Sequence, residues 1–208
     1  MNAQTRRLQL AGAAGPIEVL RDDPMDTTPV GTAVIAHPHP LFGGTMENKV
    51  VQTVARAFVQ TGWTAVRFNF RGVGASAGEH DQGRGEADDM RALVQALAPE
   101  GPIALAGFSF GAFVASTVLA SLWDARDVRK VVLVGTAASR FSVATLPAAA
   151  HDRTLVVHGE QDDTVPLQSV MDWARPQSLP VTVVPGVGHF FHGQLPLLKN
   201  LVARHLRS

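Results

Sequence analysis

Short β-branched runs alternate along the chain with longer stretches in which apolar residues recur every three or four positions. Residues 32–36 (TAVIA) read as a buried strand. After a Pro/Gly loop, Val50, Val51, Val54, Ala55, Phe58 and Val59 share one face of a helix over 48–61, and Gly62 ends it. The same alternation predicts strands at 65–69, 103–106, 131–134, 154–157 and 181–184. Between them it predicts a helix carrying Ala87, Met90, Leu93, Val94 and Leu97, and others at 110–122, 168–174 and 195–206. The first thirty residues differ. There Leu8, Leu10, Ile17, Val19 and Leu20 flank Gly12 and Gly15, the pattern of an antiparallel hairpin.

Strand–helix–strand alternation implies parallel pairing with right-handed crossovers. The expected fold class is therefore α/β, with a mostly parallel sheet of about seven to eight strands, helices on both faces and an N-terminal antiparallel hairpin. No repeat, low-complexity run or linker interrupts the 208 residues, so one domain over 1–208 is expected. Sheets of this kind bind ligands at the carboxyl ends of their strands. The residues just after each strand are where chemistry is to be sought.

After the strand at 103–106 comes Gly107-Phe108-Ser109-Phe110-Gly111, a G-x-S-x-G at a strand-to-helix junction. Such a turn presents a Ser hydroxyl, and its glycines are needed where a Cβ would crowd the turn. After the strand at 154–157 comes a loop with two acids, Asp162 and Asp163, either of which can orient a histidine. After the strand at 181–184, His189 sits in the loop Gly186-Val-Gly-His-Phe-Phe-His192. The chain order Ser109, acid, His189 is that of an α/β-hydrolase nucleophile, acid and base.

After the first parallel strand comes His37-Pro-His-Pro-Leu-Phe-Gly-Gly-Thr45. A serine attacking a carbonyl leaves negative charge on oxygen, and fixed N–H donors must meet it. One is expected from Phe110, the residue after the nucleophile, and the second from this loop. Pro38 and Pro40 have no N–H, which leaves His39 or Leu41. Phe42, Phe108, Phe190 and Phe191 flank these positions and are candidates either to line an acyl pocket or to pack in the core. Arg71 is a candidate for a substrate carboxylate, with a structural hydrogen-bonding role the stronger expectation. Glu86, Asp88 and Asp89 read as acids in a helix first turn, where the dipole favours them. His37 and His39 form an H-x-H pair, but a metal needs a third ligand, so neither metal nor cofactor is expected.

Composition narrows the classes. Lys+Arg 18 balance Asp+Glu 18, with no basic run, so capture of nucleic acid or anionic lipid is not expected. Cys is 0, which removes a disulfide framework, a thiolate metal site and a cysteine nucleophile. The most apolar helical stretch, 110–123, falls short of the roughly 20 residues a membrane span needs. The N-terminus makes a poor signal peptide, and a cytoplasmic location is expected. Gly72-Val73-Gly74 does not open a helix after the first parallel strand, which sets a dinucleotide fold aside.

Together these motifs resemble the α/β-hydrolase superfamily, and within it the small, lid-less bacterial serine hydrolases and carboxylesterases near dienelactone hydrolase. The resemblance rests on His37-Pro-His-Pro40 with Gly43-Gly44-Thr45, on residues 68–76 (FNFRGVGAS), on Gly107-Phe-Ser-Phe-Gly111, on His158-Gly-Glu-Gln-Asp162 with Val165-Pro166, and on Gly188-His189-Phe-Phe-His-Gly193. It implies a triad of Ser109, Asp162 and His189, with Asp162 in the family's acid position. Dienelactone hydrolases carry Cys where this chain has Ser109, which favours esters. Larger relatives insert a cap where this chain has only residues 135–153, so no cap domain is expected. The implied function is hydrolysis of a small carboxylic ester through an acyl-enzyme. Activity should rise with pH as the base loses its proton, in the range where ordinary imidazoles titrate, about 6.5–7. Thioesterase, amidase, peptidase and acyltransferase activity on the same triad, and a non-catalytic ligand-binding role, are the alternatives.

Overall fold

The computed structural model describes residues 5–25 and 27–208. Eight strands form one sheet: β1 (Arg6–Gly12), β2 (Gly15–Asp22), β3 (Thr32–Ala36), β4 (Thr64–Phe68), β5 (Ile103–Phe108), β6 (Val128–Val134), β7 (Thr154–Gly159) and β8 (Val181–Val184). Five α-helices join them: α1 (Lys49–Gln60), α2 (Arg84–Leu97), α3 (Phe110–Leu122), α4 (Leu167–Ala174) and α5 (Leu195–Arg207). The strand order is β1-β2-β4-β3-β5-β6-β7-β8. Strands β3 to β8 pair in parallel, while β1 and β2 form an antiparallel hairpin attached to β4 with Val19 opposite Phe68.

The burial patterns explain why the parallel strands read as plain apolar runs. Every residue of β4 and β5 is buried, because helices cover both faces. In β1, by contrast, exposed and half-buried positions alternate, as expected of an outer strand with one wet face. One face of the sheet packs against α1 and α5 through Ile35, Val54, Phe58, Val132, Leu198 and Val202. The other packs against α2, α3 and α4 through Val34, Phe68, Met90, Leu93, Val118 and Val170. Burying each large side chain of this set contributes about 1.5–3 kcal/mol. Helix α3 carries almost no polar stripe, and its central place over β3, β5 and β6 accounts for that.

Several strands run further than the β-branched runs suggested. β5 continues through Phe108, which pairs with Val134, and β7 continues through Gly159, which pairs with Val184. Backbone pairing with a neighbour extends a strand over residues whose side chains carry no strand signal. The polar-chain connections also hold short 3-10 segments at Pro40–Phe42, Ala148–Arg153 and Arg175–Gln177. The β6–β7 connection contains only the second of these and carries no lid.

In the α2 region the reading of the three acids is revised, and Arg71 takes the structural role that was the stronger expectation. Only Glu86 lies in the first turn of α2. Asp89 is buried one turn on and receives two 2.9 Å hydrogen bonds from Arg71, so Arg71 anchors the Gly-rich segment to α2 and is not free for substrate. Asp88 is exposed and pairs with Arg91. Among the described residues, no helix is long and apolar enough to cross a membrane.

Candidate active site

The residues following β5, β7 and β8 meet over the carboxyl edge of the sheet, as strand order dictates. Ser109 sits between β5 and α3 with φ 57° and ψ −116°, a left-handed backbone state that costs a non-glycine residue about 1–3 kcal/mol. The flanking glycines make that turn possible. A Cβ on Gly107 would stand 2.1 Å from the Gly111 carbonyl oxygen, and one on Gly111 would stand 2.3 Å from that of Ala36.

The Ser109 hydroxyl lies 3.0 Å from His189 Nε2, and His189 Nδ1 lies 2.6 Å from Asp162 Oδ2. All three residues are buried. The second carboxylate oxygen of Asp162 accepts from the backbone N–H groups of Thr164 (3.0 Å) and Val165 (2.7 Å). Burial alone would raise the Asp162 pKa, but the His189 and Val165 hydrogen bonds and the two nearby imidazoles hold it below the usual carboxylate value. Asp163, one residue on, is exposed and accepts a hydrogen bond from the Thr164 hydroxyl at 3.3 Å, not from His189. His158 lies beneath, fully buried, its Nε2 donating to the Val165 carbonyl and 3.4 Å from Asp162 Oδ2. Burial lowers its pKa, so it packs as a neutral ring under the acid loop. Gly135 backs the site: a Cβ there would press to 3.2 Å on the His189 ring.

The loop after β3 forms the facing wall. His37 is fully buried, with Nδ1 donating to the Pro38 carbonyl (2.6 Å) and Nε2 accepting from Phe70 N–H (3.0 Å). Desolvation lowers its pKa to about 4, so the ring is neutral and both nitrogens are in use. The H-x-H pair is therefore a structural buckle. Among the described residues no cluster of three His, Cys, Asp or Glu is placed to hold a metal ion. His39 caps the short 3-10 turn, its Nδ1 accepting from Leu41 N–H at 3.2 Å. That bond occupies the Leu41 donor, and Leu41 itself is 69% exposed and outside the cleft. The His39 and Phe110 N–H groups find no acceptor among the described residues, and both residues line the cleft beside Ser109. Of the two open choices for a second donor, the geometry thus favours His39. Gly44 closes this loop by donating to the His39 carbonyl (3.1 Å); a Cβ there would stand 2.1 Å from the Pro38 oxygen.

The cleft over Ser109 has a volume of about 290 Å³. Phe42, Phe110, Phe141, Phe190, Ala137 and Val165 supply its apolar lining, and Asn48, Thr164 and Arg140 add polar groups. Of the phenylalanines considered from sequence, Phe42 and Phe190 line the cleft and are partly exposed. Phe108 does not. Its ring lies 4.8 Å from the His189 ring, 1% exposed, so it supports the histidine from below and touches no ligand space. The period-two alternation of β5 sends it to the sheet face covered by α1 and α5. Phe191 is likewise buried, in a left-handed backbone state (φ 53°). Sequence reasoning missed Arg140, Phe141, Asn48 and Thr164. For Arg140 and Phe141 a signal existed, since they follow the end of β6.

Comparison with known proteins agrees with this architecture. Residues 30–151 match the model of a family described as serine aminopeptidase S33. The fold is similar to a lid-less α/β serine hydrolase from Xanthomonas campestris, with 37% identity over 100% of this chain and 95% of that one and a TM-score of 0.87. It is also similar to an α/β serine hydrolase homologue from Coxiella burnetii, 39% identical over 97% of each chain, with a TM-score of 0.82. An uncharacterized protein of Rickettsia prowazekii is 46% identical over 87 residues, a match that spans 40% of this chain and 37% of that protein.

Proposed function

The chain belongs to the lid-less α/β serine hydrolases, and we propose that it hydrolyses small carboxylic esters with Ser109 as nucleophile, His189 as general base and Asp162 as the group that orients His189. The observation that carries this reading is the continuous hydrogen-bonded line from Ser109 Oγ through His189 to Asp162 Oδ2, opening onto a cleft lined also by His39 and Phe110, whose N–H groups have no acceptor among the described residues. In the first half-reaction Oγ attacks the ester carbonyl as His189 Nε2 takes its proton. Asp162 fixes the Nδ1–H tautomer and steadies the imidazolium. The two N–H groups hold the oxyanion, each donor worth about 3–4 kcal/mol in the transition state. His189 then gives the proton to the departing alcohol, and water, deprotonated by His189, attacks the acyl-Ser109 ester and frees the acid.

Ester hydrolysis is favoured over aminopeptidase chemistry by one feature of the cleft. Among the described residues no carboxylate lines it to hold the ammonium group of a peptide N-terminus. The test is a fluorophosphonate probe read by intact mass, beside Ser109→Ala, followed by short acyl esters, thioesters and amides. A single adduct on the parent, none on the variant, and turnover of esters first are the expected results. A folded parent that takes no adduct would leave a ligand-binding role in its place.

A further inference from the structure

Among the described residues, Arg140 is the one permanent cation lining the cleft, and no carboxylate lines it. The arginines nearest in the fold to buried acids are committed, Arg67 to Asp22 and Arg71 to Asp89. The exposed Arg140 guanidinium has no hydrogen-bond or ion-pair partner among the described residues. The acids nearest the site are already engaged or turned away. Asp162 is taken by His189, Thr164 and Val165; Glu86 is buried and taken by His80 and by the backbone of Asp81 and Gly83. Asp163 is exposed beyond Thr164.

The backbone beneath Arg140 is fixed. The N–H groups of Arg140 and Phe141 both donate to the Ala137 carbonyl, at 3.2 and 3.1 Å. The Phe141 ring stacks on Phe113 of α3 (4.8 Å, 14°) and meets Phe110 edge-on at 5.1 Å. So the turn that carries Arg140 is clamped to the helix that begins at the nucleophile. The guanidinium also acts on His39: burial, then the His80 and Arg140 charges, lower the His39 pKa, against the pull of Glu86. The Phe141 ring lies 5.9 Å from the His39 ring, so the turn that carries Arg140 lies beside the loop after β3.

We infer that Arg140 is a specificity-determining residue, and that the cleft selects esters with an apolar body and a free carboxylate on one arm. This rests on the esterase reading above. Guanidinium and carboxylate match as planar two-pronged partners, which gives the pair direction as well as charge. The ester bond sits at Ser109, the aromatic wall takes the chain between, and Arg140 takes the far anionic end.

Two matched pairs test it: monoethyl adipate against ethyl hexanoate, with the carboxylate on the acyl arm, and 4-carboxyphenyl butyrate against 4-methylphenyl butyrate, with it on the alcohol arm. The readout is the ratio of kcat/KM within each pair, for the parent, Arg140→Gln and Arg140→Lys. In the parent the ratio should exceed one for at least one pair. It should fall about tenfold or more in Arg140→Gln, with Arg140→Lys between. Ratios below one in both pairs of the parent, or ratios unmoved within twofold by Arg140→Gln, overturn the selectivity while leaving the esterase standing. No turnover of either neutral ester and no fluorophosphonate adduct overturns both.

Discussion

The two walls of the cleft are built on different principles. The triad wall is buried: Ser109, Asp162 and His189 are each less than a tenth exposed, and each is held by at least one hydrogen bond. The facing wall is made of backbone and of side chains that reach into solvent, with Phe42 77% exposed and Arg140 free. Chemistry needs atoms fixed to within a fraction of an ångström, and burial supplies that. Recognition of varied small molecules tolerates looser, wetter groups. The difference predicts that changes on the first wall cost turnover, and changes on the second mainly redistribute it among substrates.

The largest effect should come from the nucleophile. Ser109→Gly should lower kcat by about a millionfold, measured with a short acyl ester. It should also raise stability by about 1 kcal/mol in urea unfolding, because glycine accepts the φ of 57° without strain. A variant no more stable than the parent would show that the elbow stores no strain. Next, Asp162→Asn should lower kcat by about 10⁴-fold, while Asp163→Asn stays within twofold in the same assay. Equal losses from both would undo the assignment of the acid.

Gly44→Ala tests where the two walls meet. The added Cβ clashes with the Pro38 and His39 carbonyls and must displace the His39 N–H. We expect kcat to fall about tenfold to a hundredfold with KM nearly unchanged, a smaller loss than deleting a donor outright. A KM effect alone would place the second oxyanion donor elsewhere.

Acid should weaken the fold through His37. Its folded-state pKa of about 4 lies below the ordinary 6.5, so the unfolded chain binds the extra proton first. Stability contributed by the neutral ring is full above about pH 6.5 and is lost as pH falls toward 4. The difference corresponds to about 3 kcal/mol. Urea unfolding at pH 7 and pH 4 measures it, and His37→Asn should flatten that slope. The smallest effect is expected at the rim. Phe42→Ala should raise KM for aryl esters about threefold and leave Tm nearly unchanged, as suits a side chain 77% exposed.

The fold was legible because its signals are local. β-branched runs and helical periodicity mark the five α-helices and the parallel strands, and Gly107 and Gly111 announce the turn that only their missing Cβ atoms permit. What stayed hidden was set by neighbours far along the chain. Glu86, Asp88 and Asp89 look alike as a run of acids, yet one closes a loop, one is solvated and one is buried against Arg71. Phe42 and Phe108 look alike as aromatics beside the site, yet one faces solvent and the other lies under His189.

By itself the sequence determined the layered α/β architecture, the chain order of Ser109, an acid at 162 or 163, and His189, and the strand ends that carry them. Each follows from short-range rules of periodicity, turn sterics and residue chemistry. Only the tertiary structure decided that Asp162 and not Asp163 faces His189, that His39 and not Leu41 keeps a free N–H, and that Arg140 reaches the cleft unpaired. Each of these depends on which residues a folded turn aims inward. The bond from Asp162 to His189 joins residues 27 apart, and even the local turns that hold Leu41 and Arg140 take their aim from backbone geometry that residue types do not announce.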